Sequence, residues 1–314
     1  MLPAMSHPSA PPLAAGRPAR GGHACLALAM VLAGSTVPAS KLIAAEVAPF
    51  TATAIRLGLA LPVFLLLMRA TGARWPRPGW RDACLLALQA AAGSVGYTAL
   101  LIAGLRLTSA ADAAVVIGTL PAVTALLAMA LLRERPAPRT LAAIALAAAG
   151  VLVLVGGRSG GASGSLAGNL LVLGAVVCEG LFILLNKRLR TPIAPLPLSA
   201  ALTAIGAALA GAAALAEAPW HAALGGPALA VLAYYAWLPT VAGFVLWYAG
   251  LARASASEAA LFTALAPVAA VLLAALALGE AIGPRQAAGI GCVLAAVLAL
   301  RPAGRNESEK KNNN

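Results

Sequence analysis

Ser255–Arg285 reads SASEAALFTALAPVAAVLLAALALGEAIGPR, and Ser109–Arg139 reads SAADAAVVIGTLPAVTALLAMALLRERPAPR; the two stretches align without a gap. A shift of 146 positions lays Ser255 on Ser109, Glu258 on Asp112, Pro267 on Pro121, Glu280 on Glu134 and Pro284-Arg285 on Pro138-Arg139. The same shift pairs Gly34 with Gly180, Lys41 with Lys187, Pro49 with Pro195 and Gly104 with Gly250. The chain therefore reads as a tandem duplication, and each copy must be one structural unit.

Composition decides the medium. With 61% hydrophobic and 10% charged residues, and a mean hydropathy of +0.90, the chain has too little polar surface to close a water-soluble globule. Short alternating segments of the kind that build a membrane barrel do not occur. Apolar runs long enough to span a bilayer as helices fall at 23–44, 50–69, 82–104, 109–132 and 139–156, then at 167–187, 196–217, 228–250, 256–278 and 285–301. The expected fold is an all-α polytopic membrane protein of ten transmembrane helices. Residues 1–22 form a Pro/Ala/Gly-rich disordered tail, 23–156 the first repeat, 157–166 a Gly/Ser linker, 167–301 the second repeat, and 302–314 a polar tail or an appended tag.

The net charge of +12 would suggest nucleic acid in a soluble protein, but in a membrane protein the position of each base matters more than the sum. Placing both termini in the cytoplasm puts 17 of the 22 Lys and Arg inside and makes the linker periplasmic. Arg106, Arg158 and Arg285 lie outside, and Lys41 and Arg56 lie within or at the ends of spans. Five spans per copy is an odd number, so the copies must face opposite ways. Loop charge agrees: Arg69, Arg74, Arg77 and Arg81 become Leu215, Trp220, Ala223 and Pro227 in the second copy. This is the signature of two inverted five-helix repeats, which suit alternating access between two related bundles.

Five spans carry an interior proline: Pro38, Pro62, Pro121, Pro239 and Pro267. Each removes a helical bond to the carbonyl four residues earlier and tends to kink its helix. The freed carbonyls either face a cavity or are sealed by a neighbouring Ser or Thr. Asp112 and Glu258 each follow a Ser by three residues at a helix start, a capping-box pattern. Glu134 and Glu280 read as turn and capping groups. Lys41 is expected to snorkel to the headgroups.

Glu179 lies well inside the sixth span and answers Ala33 in the first copy. A charge there costs about 2.5–3.5 kcal/mol unless it faces water or a partner. It is a candidate proton or substrate-amine site, or else a neutral acid bonded within the bundle. Arg56, whose counterpart is Leu202, either packs against carbonyls or holds a substrate carboxylate. Gln89, Tyr97, Trp237 and Thr263 could line a mixed polar and aromatic cavity, or be core residues. Trp75, Trp80 and Trp220 read as interfacial belt residues.

Cys25, Cys84, Cys178 and Cys292 sit in separate apolar runs and read as small core residues. No nucleophile with a base, phosphate loop, metal cluster or cofactor motif is recognisable. His7, His23 and His221 lie in the tail, at a span end and in a loop. Neither enzyme activity nor nucleic-acid binding is expected.

A resemblance then emerges from the two five-helix copies, the Lys41…Pro49…Arg56 series, Leu246-Trp247-Tyr248-Ala249-Gly250-Leu251 running into Ala256-Ser257-Glu258-Ala259-Ala260-Leu261, and Leu278-Gly279-Glu280 before Pro284. This ordered set resembles the EamA-type ten-helix branch of the drug/metabolite transporter superfamily. Within that branch the chain is similar to the YddG-type exporters of aromatic amino acids. It departs from the usual pattern at Ala33, where an aromatic is common, and at Leu132-Arg133-Glu134, where Leu-Gly-Glu is usual. It also lacks the first-span carboxylate on which the small multidrug-resistance relatives depend. The resemblance implies a bacterial inner-membrane carrier exporting small metabolites, chiefly amino acids, with the bilayer and a small-molecule substrate as partners and protons as a possible coupling ion. A nucleotide-sugar or sugar-phosphate antiporter, or a channel-like facilitator, is the alternative.

Overall fold

The computed structural model describes residues 20–132, 138–155, 165–186, 188–221, 224–253, 262–263 and 265–299. Of the expected tails, residues 1–19 and all of 302–314 lie outside the described residues, as do linker residues 157–164 and Glu134, Lys187 and Glu258, while residues 20–22, expected in the N-terminal tail, begin the first helix.

Every regular element among the described residues is helical. In chain order they are α1 (Arg20–Glu46), α2 (Pro49–Thr71), α3 (Trp80–Leu105), α4 in two pieces (Ala110–Ile117 and Leu120–Leu132), α5 (Pro138–Val155), α6 (Leu166–Asn186), α7 (Pro195–Ala214), α8 (Gly226–Leu251), α9 (Leu265–Leu278) and α10 (Pro284–Ala299). Six are long and apolar enough to cross a membrane, and the pieces of α4, meeting at 43°, reach that length and hydropathy only when taken together. The chain is an all-α polytopic membrane protein.

The break in α4 follows from Pro121, which cannot donate to the Ile117 carbonyl. The chain turns at Gly118-Thr119, where the Thr119 hydroxyl donates to Val116 O at 2.6 Å. Pro38 is accommodated differently, since α1 continues through it to Glu46.

Glycines show the repeat in the packing. A side chain on Gly250 would collide with Leu26 and Gly22 of α1, and one on Gly104 would collide with Val172 and Gly168 of α6. Gly22 and Gly168, and Leu26 and Val172, are themselves repeat-equivalent. Small residues that let backbones approach closely are the usual glue between helices in lipid. The copies interlock: α1 packs chiefly along α8 and α9, and its counterpart α6 along α3 and α4. The packing units therefore cross between the sequence halves, which are not two separate bundles.

The main core lies entirely towards one end of the bundle. Val37–Val47, Leu101–Leu105, Ala110–Val116, Val172–Val176, Ala228–Tyr235 and Val271–Ala274 contribute to one buried cluster there. Towards the other end the core splits into two smaller clusters, around Phe64 and Ala200 and around Leu86 and Leu202.

Candidate functional site

The end with the single core is also sealed by polar bonds at helix termini. A helix start leaves N–H groups unpaired and carries partial positive charge. Glu217 accepts from the N–H groups of Phe50 (3.0 Å) and Thr51 (2.7 Å) and from the Thr51 hydroxyl at 2.8 Å, closing the start of α2. Glu280 accepts from Ala110 N and Ala111 N at 3.0 and 2.9 Å, closing the start of α4. The capping expected of Glu280 thus reaches across to the other copy instead of serving its own turn.

Lys41 was expected to snorkel, but its Nζ donates to the carbonyls of Leu105 and Thr108 at 2.6 Å each, so it caps the end of α3. Arg106 returns the strap, donating to Ala44 O and Val47 O at 3.0 and 2.9 Å. Only half of the expected capping box at Asp112 forms. Ser109 Oγ accepts from Asp112 N at 3.0 Å, but Asp112 Oδ1 takes a bond from Gln286 Nε2 of α10 at 2.9 Å.

Beneath this seal, α3 and α8 each widen into one π-helical stretch. These span Ala90–Gly96 and Ala236–Ala242, and a shift of 146 superposes them residue for residue. Gly93 and Pro239 occupy equivalent positions. A side chain at Gly93 would collide with the Phe182 ring of α6, and Pro239 has no N–H to give an ordinary helical turn. The Tyr235 carbonyl, freed by Pro239, accepts from the Thr240 hydroxyl at 2.9 Å. Such single-turn π segments concentrate at functional sites, because the extra residue turns side chains out of their usual register.

Arg56 of α2 sits between the two stretches and is 6% exposed. Its guanidinium donates to Thr240 Oγ1 at 2.9 Å, to Thr98 Oγ1 at 2.8 Å and, at 3.4 Å, to Ser94 O. Its Cζ lies 4.6 Å from the centre of the Tyr235 ring, a cation–π distance. Every one of these partners is uncharged, and Nε has no partner among the described residues. Tyr97, at the end of the α3 π stretch, contacts Thr36 of α1; Arg56, Tyr235 and Glu179 all lie within electrostatic reach of its hydroxyl. Tyr234 donates to Ser35 Oγ at 2.7 Å on the α1 side of the group.

Of the residues singled out from sequence, Arg56 and Glu179 each lie within electrostatic reach of Tyr97. Gln89, directly before the α3 π stretch, is fully buried, its amide donating to Phe182 O at 3.2 Å while Oε1 has no partner among the described residues. Trp237 is 47% exposed and donates to Leu59 O of α2 at 3.1 Å, outside the group. Thr263 is partly buried in a turn just ahead of α9. Pro38, Pro239 and Pro267 are buried, Pro121 is partly so, and Pro62 is exposed. Sequence reasoning missed Ser94, Thr98, Tyr235 and Thr240. The signal that could have found them is the glycine and proline at equivalent places in the repeat, marking a backbone irregularity shared by both copies. Among the described residues no group of three acids, histidines or cysteines could hold a metal ion, and the four cysteines are free and partly buried.

Residues 20–156 and again 166–301 match the EamA-like transporter family. The chain is 30% identical over 291 residues to the uncharacterized transporter YetK of Bacillus subtilis (strain 168), covering 88% of this chain and 86% of that one. It is 32% identical over 244 residues to the uncharacterized protein PA1977 of Pseudomonas aeruginosa, covering 77% and 79%. A crystal structure titled only as that of a protein superposes with a TM-score of 0.62 at 22% identity, covering 87% of this chain and 94% of its own, a likeness of fold.

Proposed function

The chain belongs to the EamA-like transporter family, and from that premise we propose that it exports amino acids, aromatic ones included, across the bacterial inner membrane by alternating access. The observation that carries this reading is a buried guanidinium, bonded only to uncharged groups and 4.6 Å from the Tyr235 ring, with an acid within electrostatic reach of the neighbouring Tyr97. Arg56, with no charged partner, and Glu179 both lie within reach of Tyr97. A zwitterion presents a carboxylate to the guanidinium and an ammonium to the acid, and an aromatic side chain has Tyr97 and Tyr235 to stack against. A buried cation and a partly buried acid inside the span are both costly without such a partner, so the substrate offsets a cost already built into the empty protein.

The positive-inside rule supports placing the arginine-rich end, with both termini, in the cytoplasm. The sealed end then faces the periplasm. A sugar-phosphate antiporter would want several free cations at the site, whereas Lys41 and Arg106 are spent on carbonyls. The seal formed by one continuous core also weighs against an open channel. Glu179 further makes protons the coupling ion.

The test is uptake into liposomes holding the purified protein, against a panel of amino acids with and without a pH gradient. Counterflow of aromatic amino acids is expected, with Arg56→Leu abolishing it and Glu179→Gln keeping exchange but losing the response to the gradient. Counterflow confined to phosphorylated sugars, or no dependence on Arg56, would overturn the reading.

A further inference from the structure

At the arginine-rich end a cleft of about 350 Å³ lies between the α2–α3 connection and the loop leading into α7. Arg74, Pro76 and Arg77 line one wall and Thr191, Pro192 and Ile193 the other. We propose that this cleft binds the headgroup of an anionic phospholipid from the adjoining leaflet.

The walls are preformed. Gly72, with φ +67°, ends α2 in the left-handed conformation that turns the chain into the connection. Pro76, Pro78, Pro192 and Pro197 restrict the backbone on both sides. Asp82 ties one wall to the other, its carboxylate accepting from Arg190 N and Thr191 N at 3.2 and 3.0 Å. That acid is buried and already engaged. It is the one carboxylate at this end among the described residues, and its oxygens are taken by backbone N–H groups, not by the arginines that line the cleft.

The chemistry is that of a phosphodiester at a membrane surface. Arg69, Arg74, Arg77 and Arg81 are all exposed, and a guanidinium offers phosphate a planar two-pronged donor. Trp75 and Trp80 beside them are 47% and 85% exposed, as indoles at the headgroup level are. The repeat supplies the control. The equivalent connection in the second copy, at the opposite end, holds Leu215, Trp220, Ala223 and Pro227 at those four positions, so the fold itself does not require arginine there. A general bias of positive charge towards one side would place arginines anywhere on that face. Two of them on a rigid cleft is a narrower arrangement.

The experiment uses the full-length protein in nanodiscs of phosphatidylcholine with a rising fraction of phosphatidylglycerol, read by native mass spectrometry of retained lipid and by the melting temperature. The double variant Arg74→Gln/Arg77→Gln is compared with Arg188→Gln/Arg190→Gln, which removes the same charge from the same end outside the cleft. Retained phosphatidylglycerol and its stabilisation are expected to fall in the first variant by about fivefold per arginine, the weight of one base at an anionic surface, and to persist in the second. Arg74→Lys/Arg77→Lys, which keeps the charge and loses the fork, is expected to fall in between, and it provides the reading if the glutamine variant does not fold. Equal losses in both double variants, or no loss with lysine, would show diffuse attraction and overturn the site. So would equal stabilisation by inorganic phosphate or glycerol phosphate, which would assign the cleft to a soluble anion.

Discussion

The two ends of the bundle use charge in opposite ways. At the sealed end Glu217, Glu280, Lys41 and Arg106 all terminate on backbone groups of helix ends, over a single core drawn from seven helices. At the arginine-rich end Arg69, Arg74, Arg77, Arg81, Arg188 and Arg190 remain exposed, over a core divided in two. One end is held shut by bonds that a moving helix would have to break. The other holds its arginines outward, and its polar ties between elements are fewer: Arg188 donates to Leu131 O at 3.3 Å, and Asp82 accepts from Arg190 N and Thr191 N. An alternating carrier must exchange these conditions, so the seal is the part of the molecule whose weakening should be felt most.

The largest effect is expected from removing both carboxylates of the seal. Each accepts charge-assisted bonds worth about 1.5–3 kcal/mol when one partner is lost, so Glu217→Ala/Glu280→Ala should cost about 3–6 kcal/mol. It should also expose the buried cluster beneath. A cysteine introduced at Val47, 1% exposed in the intact protein, should then react with a membrane-impermeant maleimide at least about tenfold faster, the ratio for 1.4 kcal/mol. If the cysteine stays protected while the protein remains folded, the seal does not depend on these acids, and the contrast between the ends fails.

Next comes a comparison between the copies. A Cβ on Gly34 would stand 2.5 Å from the Ala266 carbonyl oxygen, a backbone atom that cannot move alone. On the equivalent Gly180 it would meet the end of the Leu127 side chain at 2.8 Å, which can rotate away. Gly34→Ala should therefore destabilise by about 2–3 kcal/mol, the overpacking range, and Gly180→Ala by about 1 kcal/mol or less. Melting in a fixed detergent measures both. Equal losses would mean that α1 and α6 pack with the same tolerance.

Much of the fold was open to reading from sequence. Gly34, Gly104 and Gly250 aligned with their repeat partners because close helix contact leaves a side chain no room there, and the arginine swap between Arg69–Arg81 and its counterpart marked inversion because it answers to the membrane and not to packing. Part of the site was hidden for a definite reason. A reading at 3.6 residues per turn holds only while the helix keeps that period, and the π stretches in α3 and α8 each break it. Trp237, grouped with the polar residues because its indole N–H lies within a span, bonds to Leu59 O instead, and Tyr235 is the ring beside Arg56. The partners of Glu217 and Glu280 were hidden as well. Their acceptor role is local chemistry, but which helix start they meet depends on how the copies interlock, and spacing along the chain does not carry that.

The smallest expected effect isolates backbone entropy from contact. Gly58 lies in the middle of α2, two residues past Arg56, exposed, with open space where a side chain would stand. It lies on the other side of α2 from the buried arginine. Gly58→Ala adds a methyl that meets nothing and removes freedom from the unfolded chain, so it should stabilise by about 0.5–1 kcal/mol. Transport should be unchanged, because the guanidinium and its bonds to Thr98 and Thr240 face away from the substitution. The pairing with Gly34→Ala is what gives the measurement force: the same chemical change, on consecutive helices of the chain, is expected to move the melting temperature in opposite directions. A loss of stability at Gly58 would mean that this face of α2 meets another surface in the working protein.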